Sequence, residues 1–446
     1  MKHVVTFLTI VLLHPLATLR AAEDAALTLH FGDGQQETLS RFEELPQALA
    51  KITAAGDRRL VVKGQHKLQG AVHLAVSPGQ LIIEGTSPDA ALDLGELPAS
   101  EAALCLEVGN FEVRGLTLRN GSAWSVQISQ DVRYQLAHLR ILDARGGGIV
   151  VWGPCGVDRE GLVGNRVEHC SIERFNTLKA KWTSDGISVR DNQATIAHNV
   201  IRDSATETMG IRAMGAGNRI EANLVQNVGT GDAGGIYLWA GEAIYTAVGS
   251  VVRHNIVVGT PRGVYLDDGT CAARVEQNYL IDCREAAIFI GGGRDNVVNE
   301  NIALGCPILA HIDNRRSGWR DLPEKAVMFS AAGARLQDAL RNETLRARIA
   351  AGGLDVKGFE TLPEATFNQP NDNRVAGNVM MPPGVEIRWQ NYARFDEALV
   401  GSATDPAMPN RMLSAPSTDW RQLSAKALGI SSMPDVAELL SALSAP

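Results

Sequence analysis

Aromatic residues are scarce in this chain of 446 residues: Phe, Trp and Tyr together make up 5%. Positive charge is short as well. The formal net charge is −8, and a leader carrying Lys2 and Arg20 would take it to −10 on removal. That balance argues against sequence-independent binding of nucleic acid, which needs a basic surface. Beyond the first 20 residues no apolar run is long enough to span a bilayer. There is no CxxC, HExxH or GxSxG motif and no phosphate-binding loop, so none of the chemistries those motifs carry is expected. What is abundant is glycine, 44 residues or about one in ten, in a chain that is 45% hydrophobic and 21% charged. Enough apolar material is present for a core, and many tight turns are expected rather than disorder. Length alone allows one large domain or two to three ordinary ones.

The first 22 residues read as an export signal. Met1-Lys2-His3 is a short basic start, Val4 to Leu13 is apolar, His14-Pro15 breaks that stretch, and Arg20-Ala21-Ala22 ends in small residues before Glu23-Asp24. The expected location is therefore secreted or periplasmic, where the six cysteines meet an oxidising environment.

The middle of the chain repeats. An apolar-x-x-Asn unit recurs at Ile196–Asn199, Ile220–Asn223, Val252–Asn255, Val275–Asn278 and Val298–Asn301, and again at Val375–Asn378. From Asn255 to Asn278 to Asn301 the step is 23 residues. Weaker copies begin at Val113, Leu136 and Val167, with Leu116, Leu139 and Cys170 in place of the Asn. A second unit runs out of phase with the first: Gly186-Ile187, Gly210-Ile211, Gly235-Ile236, Gly263-Val264 and Ala287-Ile288 each open a short segment of alternating apolar residues. Period-two alternation means strands with one buried face, and the segments are too short for helices. A short all-strand repeat of this length predicts a parallel β-solenoid, whose coils stack at the ~4.8 Å strand spacing and whose equivalent residues form columns. A propeller blade would need about 40 residues or more.

The flanks agree. Residues 40–52 place Phe42, Leu45, Leu49 and Ile52 on one helical face, as a cap over the open end of a solenoid requires. The repeat stops after Trp319, residues 334–351 are strongly helical in pattern, and Val375 resumes the repeat. The expected layout is a leader over 1–22, an N-terminal cap over 23–60, a β-helix over 61–316, a helical insertion over 317–370, and final coils with a C-terminal cap over 371–446. With its capping helix, Gly-Ile strands and Asn ladder, the chain resembles the right-handed parallel β-helix proteins of the pectin-lyase-like superfamily over residues 40–316 and 371–385. The resemblance implies an all-β, single right-handed parallel β-helix. It is silent on activity, since that superfamily holds lyases, hydrolases, epimerases and adhesins.

Outward positions of the Gly-Ile strands can be read directly. One column holds Ser188, Arg212, Tyr237, Tyr265, Phe289 and His311; the other holds Trp152, Arg190, Met214, Trp239, Asp267, Gly291 and Asp313. Aromatic faces stack on sugar rings, and charged groups hydrogen-bond hydroxyls and acids. The expected partner is a polysaccharide or oligosaccharide, bound along Arg190, Arg212, Tyr237, Trp239, Tyr265 and Arg315. The leading expectation is a glycoside hydrolase with Asp267 and Asp313 as its acid/base pair, because both occupy strand positions rather than turns, two coils apart. Asp268 and Asp295 stand in reserve, although each also suits ordinary turn chemistry. One carboxyl near the aromatic wall is expected to be desolvated and to serve as general acid. A lyase or C5-epimerase would instead use Arg294 or a neighbouring arginine to neutralise a uronate and His311 or Tyr265 as base. A non-catalytic glycan-binding solenoid is the third reading. His138, His169, His198 and His254 each precede a ladder position by one residue, and a stacked or solvent-facing column suits them better than a metal site. Cys283 and Cys306, column neighbours, are expected within disulfide range. No cofactor is expected; the acid pairs offer oxygen to calcium, but no EF-hand-like run is present.

Overall fold

The computed structural model describes residues 26–313, 372–390 and 404–444, with gaps at 52–55, 96, 154, 156–163, 205, 240–247, 383 and 415–418, plus isolated positions between 343 and 350. The leader and nearly all of the expected insertion, including most of 334–351, lie outside the described residues.

One turn of the solenoid is three strands. In a representative turn these are Arg262–Asp267, Arg274–Glu276 and Tyr279–Ile281. Each pairs in parallel with its equivalent one turn on: Val264 with Ile288, Val275 with Val298, and Leu280 with Ala303. Alternation decides which residues face the core. Ile236, Leu238, Val264, Leu266, Ile288 and Ile290 point inward and are 0–1% exposed. β-branched and leucine side chains fill such a pleated interior without the aromatic bulk that this sequence lacks. The chain resumes in register after the excursion, with Val298 opposite Val375 and His311 opposite Arg388.

The corner between second and third strands explains the ladder. His138, His169, His198, Ala222, His254, Gln277 and Glu300 hold it in left-handed conformation, with φ of 53–58°. The next residue in five of these turns is Asn199, Asn223, Asn255, Asn278 or Asn301, all in one column continued by Asn378 and Asn410. Each of these first five donates its side-chain amide to the following carboxamide oxygen at 2.9 Å. That oxygen also accepts the preceding Asn backbone N–H at 2.9–3.0 Å. A second ladder, not singled out from the sequence, opens the second strands: Asn218 accepts from the Ala194 backbone, Ser250 from Asn218, and Asn373 from Asn296.

At the same corner the rings of His138, His169 and His198 stack at centroid distances of 5.0 and 4.8 Å. Parallel rings stacked in this way do not converge on one ion, and among the described residues no group of three His, Cys, Asp or Glu is gathered for a metal. Burial, reinforced by the adjacent imidazole, lowers the pKa of His138 and His169. The unfolded chain thus binds more protons, and this stabilisation is lost as pH falls below about 6.5, the ordinary histidine value. A His138→Asn/His169→Asn variant should lose less of its thermal midpoint than the parent between pH 7 and 5. Asn tolerates the left-handed corner, so the difference between the two pH profiles isolates the imidazoles. Parallel profiles would remove the stack as the cause.

Three expectations need correction. The capping helix is shorter than the pattern over 40–52: Phe42–Glu44 is a 3-10 turn and Leu45–Ala50 the α-helix. Pro46 fits only the first helical turn, so the helix starts there. Phe42, Leu45 and Leu49 still enter the core, while Ile52 lies outside the described residues. Cys283 and Cys306 are free thiols in contact rather than a disulfide. Both sit just past the ends of their strands, where the thiols are directed to backbone carbonyls, Cys283 to Ile281 and Cys306 to Leu280 and Leu304. The C-terminal helix Val436–Leu443, closed by an Asp435/Glu438 capping box, lies along the flank. Val436 and Leu439 pack with Ile256, Tyr279 and Ile302 on the outer face of the third strands, where the apolar residues beside Val257 and Leu280 would otherwise face water.

Candidate functional site

The corner where first strands end carries the long connections. Segments 153–165, 240–250 and 314–373 all leave from it, whereas 191–194, 215–218 and 292–296 are short. Binding and catalytic groups concentrate where a rigid scaffold presents such excursions.

The outward columns are in the predicted register. Arg212, Tyr237, Tyr265, Phe289 and His311 follow one another, and Arg388 extends the column. Beside them Trp239 is opposite Asp267 and Gly291 opposite Asp313, with Gln390 next. Leu266 is opposite Ile290, so Gly291 is the residue between Asp267 and Asp313. Two carboxylates thus flank a coil that contributes no side chain to their column.

The rings, however, are not an open stacking wall. Tyr237, Tyr265 and Phe289 are buried, Tyr265 to 1% exposure, and meet edge to face at 5.0 Å. Guanidinium groups cover faces that a sugar would need: Arg212 lies over Tyr237, and Arg262 over Tyr265 and Phe289. An aromatic quadrupole attracts a cation as readily as a sugar, and here the cation is intramolecular. The open rings lie elsewhere, at Trp152 (42% exposed) and Trp182 (50%), with Arg190 over Trp152.

Most arginines of this face are neutralised. Arg212 pairs with buried Asp185 at 2.7 Å and donates to the Trp182 carbonyl. Arg262 bridges Asp232 and Glu285 at 2.6 and 2.9 Å. Arg294 is buried between Asp295, at 2.8 Å, and Asp372. Burial raises the pKa of Asp185 and Asp295 despite these partners. Arg315 lies outside the described residues.

Near the slot, the Tyr237 hydroxyl donates to Asp267 Oδ2 at 2.9 Å and Trp239 Nε1 donates to Asp268 Oδ2 at 2.8 Å. Burial and the Asp267 carboxylate push the Tyr237 pKa far up, so its hydroxyl remains a donor. His311 Nε2 is buried without a hydrogen-bond partner. Burial, with Arg388 beside it, lowers the His311 pKa against the opposing effects of Gln390 and Asp313. The structure therefore gathers Asp267, Asp313, Asp268, Trp239 and His311 at one end of the face. It leaves Arg190 several coils away and locks Arg294 and Asp295 in a turn. Sequence reasoning missed Arg388 and Gln390, whose strand lies beyond the interrupted repeat. Asp185, just before the Gly186-Ile187 strand, is the buried partner that holds Arg212.

Residues 102–317 match the family described as "Right handed beta helix region". No curated protein matches the chain. Solved structures that resemble it include the periplasmic alginate epimerase AlgG, at 12% identity over 92% of this chain and 99% of that one, with a TM-score of 0.34. An α-1,3-glucanase of Streptomyces thermodiastaticus matches at 10% identity over 62% of each chain, with a TM-score of 0.32. The Dettilon tailspike protein matches at 14% identity over 57% of this chain, with a TM-score of 0.38, and the match spans 55% of the tailspike's length.

Proposed function

We propose that this chain, a right-handed parallel β-helix protein, is a secreted or periplasmic carbohydrate-active enzyme that cleaves a polysaccharide or oligosaccharide as a glycoside hydrolase. The observation that carries the reading is the pair Asp267 and Asp313 in one column, either side of Gly291. Two coils separate their backbones by ~9.6 Å. An inverting hydrolase needs its acid and base roughly 6.5–9.5 Å apart, with room for a water between. Side-chain reach closes the small difference, and the glycine coil supplies the room. Tyr237 orients the Asp267 carboxylate for this work.

One observation favours a second reading, a lyase or C5-epimerase on a uronate-containing glycan. His311 offers an unpartnered ring nitrogen beside exposed Arg388. A neutral imidazole can take the C5 proton, and a guanidinium can neutralise the uronate carboxylate. Incubation with neutral and acidic glycans separates the readings. New reducing ends without ultraviolet-absorbing product are expected. An unsaturated, absorbing product would select the lyase, C5 inversion without cleavage the epimerase, and no change in any glycan a binding solenoid.

A further inference from the structure

The first turns of the solenoid hold a cavity of about 340 Å³ at the start of the second strands. Its wall is a column. Gln80 is opposite Asn110, and Asn110 opposite Arg133. Asp57 precedes them and accepts the Gln80 backbone N–H at 3.1 Å. Gln135 projects two residues beyond Arg133 on the same face. Four positions at coil spacing make a trough about 14 Å long.

The floor beneath is fixed. Phe111 and Tyr134 are buried, and the Tyr134 hydroxyl donates to Asp191 at 3.2 Å. The Asn165 amide donates to the same carboxylate at 2.7 Å, and its oxygen accepts the Tyr134 backbone N–H at 3.0 Å. A preorganised floor of this kind loses little entropy when a ligand settles on it.

The lining chooses the ligand class. Asp57 and Arg133 offset each other, so no net charge attracts an anion or a cation. Gln80, Asn110 and Gln135 each present donors and an acceptor on one planar group, which suits hydroxyls. One guanidinium is too little for a phosphate chain. The buried rings leave no broad apolar floor for a lipid or an apolar peptide. These strands are paired on both sides, so a peptide cannot add as another strand.

We propose that this trough is a second glycan site, taking an uncharged oligosaccharide lengthwise along Gln80, Asn110 and Gln135. It lies in the turns from Arg58–Lys63 to Arg166–Glu168, whereas the candidate catalytic face occupies those from Gly234–Trp239 to Val385–Gln390. Its role is retention of the polymer, independent of the chemistry performed elsewhere on the chain.

The test is calorimetric titration of the full chain with cellohexaose, xylohexaose and maltohexaose, and with hexagalacturonate as the anionic probe. At least one neutral hexasaccharide should bind. Asn110→Ala/Gln135→Ala should weaken that binding about tenfold or more, from two lost hydrogen bonds. Gln80→Ala should weaken it less. Unchanged circular dichroism and thermal midpoints would certify the fold of each variant. The trough is overturned if no neutral hexasaccharide binds, if only hexagalacturonate binds, or if Trp239→Ala abolishes binding that the trough variant retains. In that last case the candidate catalytic face still binds glycan. Conversely, trough-dependent binding without turnover leaves the trough standing and counts only against a hydrolase acting on that glycan.

Discussion

Asn278→Ala is expected to destabilise the protein by about 3–5 kcal/mol. The side chain is fully buried. Its oxygen accepts both the backbone N–H and the side-chain amide of Asn255, at 3.0 and 2.9 Å. Its own amide reaches Val252, Glu276 and Asn301. Alanine strands the Asn255 backbone N–H and takes a partner from the Val252 and Glu276 carbonyls where water does not reach, and each such orphan costs about 1–3 kcal/mol. Asn278→Asp is the informative companion. It keeps the acceptor but abolishes the donors and places a charge in the core, so it should be no better than alanine. Urea denaturation followed by far-ultraviolet circular dichroism measures both. A shift below about 0.5 kcal/mol for alanine would mean that the ladder is decoration rather than framework.

That ladder is also why the fold was legible. Residues that do the same job in every turn recur in the sequence, so Asn255, Asn278 and Asn301 announce both the coil length and the column. Period-two alternation then fixes which side of each first strand faces out, and the columns from Arg212 to His311 follow. What a repeat cannot announce is a job done once. Asp185 meets Arg212 across a turn of the solenoid, and Arg388 reaches His311 only after a long excursion. The second ladder mixes Asn218, Ser250, Asn296 and Asn373, so no single letter marks it. Openness was misread for a different reason. An outward strand position is not necessarily an exposed one, and guanidinium groups from the same strand or the adjacent turn took the faces of Tyr237, Tyr265 and Phe289. The Cys283 and Cys306 expectation failed because column adjacency supplies proximity, while the thiols are directed to backbone carbonyls.

Asp267→Asn and Asp313→Asn should each cut turnover by about 10²–10⁴ while leaving the fold and, to within a few-fold, KM intact. The substitution keeps side-chain shape. In Asp267→Asn the Tyr237 hydroxyl can still donate to the amide oxygen at its present position, so only proton transfer is removed. A purely structural role would move stability and leave the ratio of kcat to KM largely alone, which the paired measurements distinguish. The double variant should be barely worse than either single, since acid and base act on one transition state. Trp239→Ala should act differently, raising KM, because the half-buried indole that donates to Asp268 shapes the approach rather than the proton transfer. Full activity in both Asn variants would eliminate the pair and shift the chemistry to His311. Its pKa is lowered, so it is neutral and competent above about pH 6.5, and its function is lost as pH falls through the lowered value. A lyase would therefore show kcat/KM falling on the acid side in step with His311 protonation, and His311→Gln would abolish an unsaturated product. A hydrolase running on Asp267 and Asp313 would retain cleavage in His311→Gln, because that imidazole only neighbours the slot.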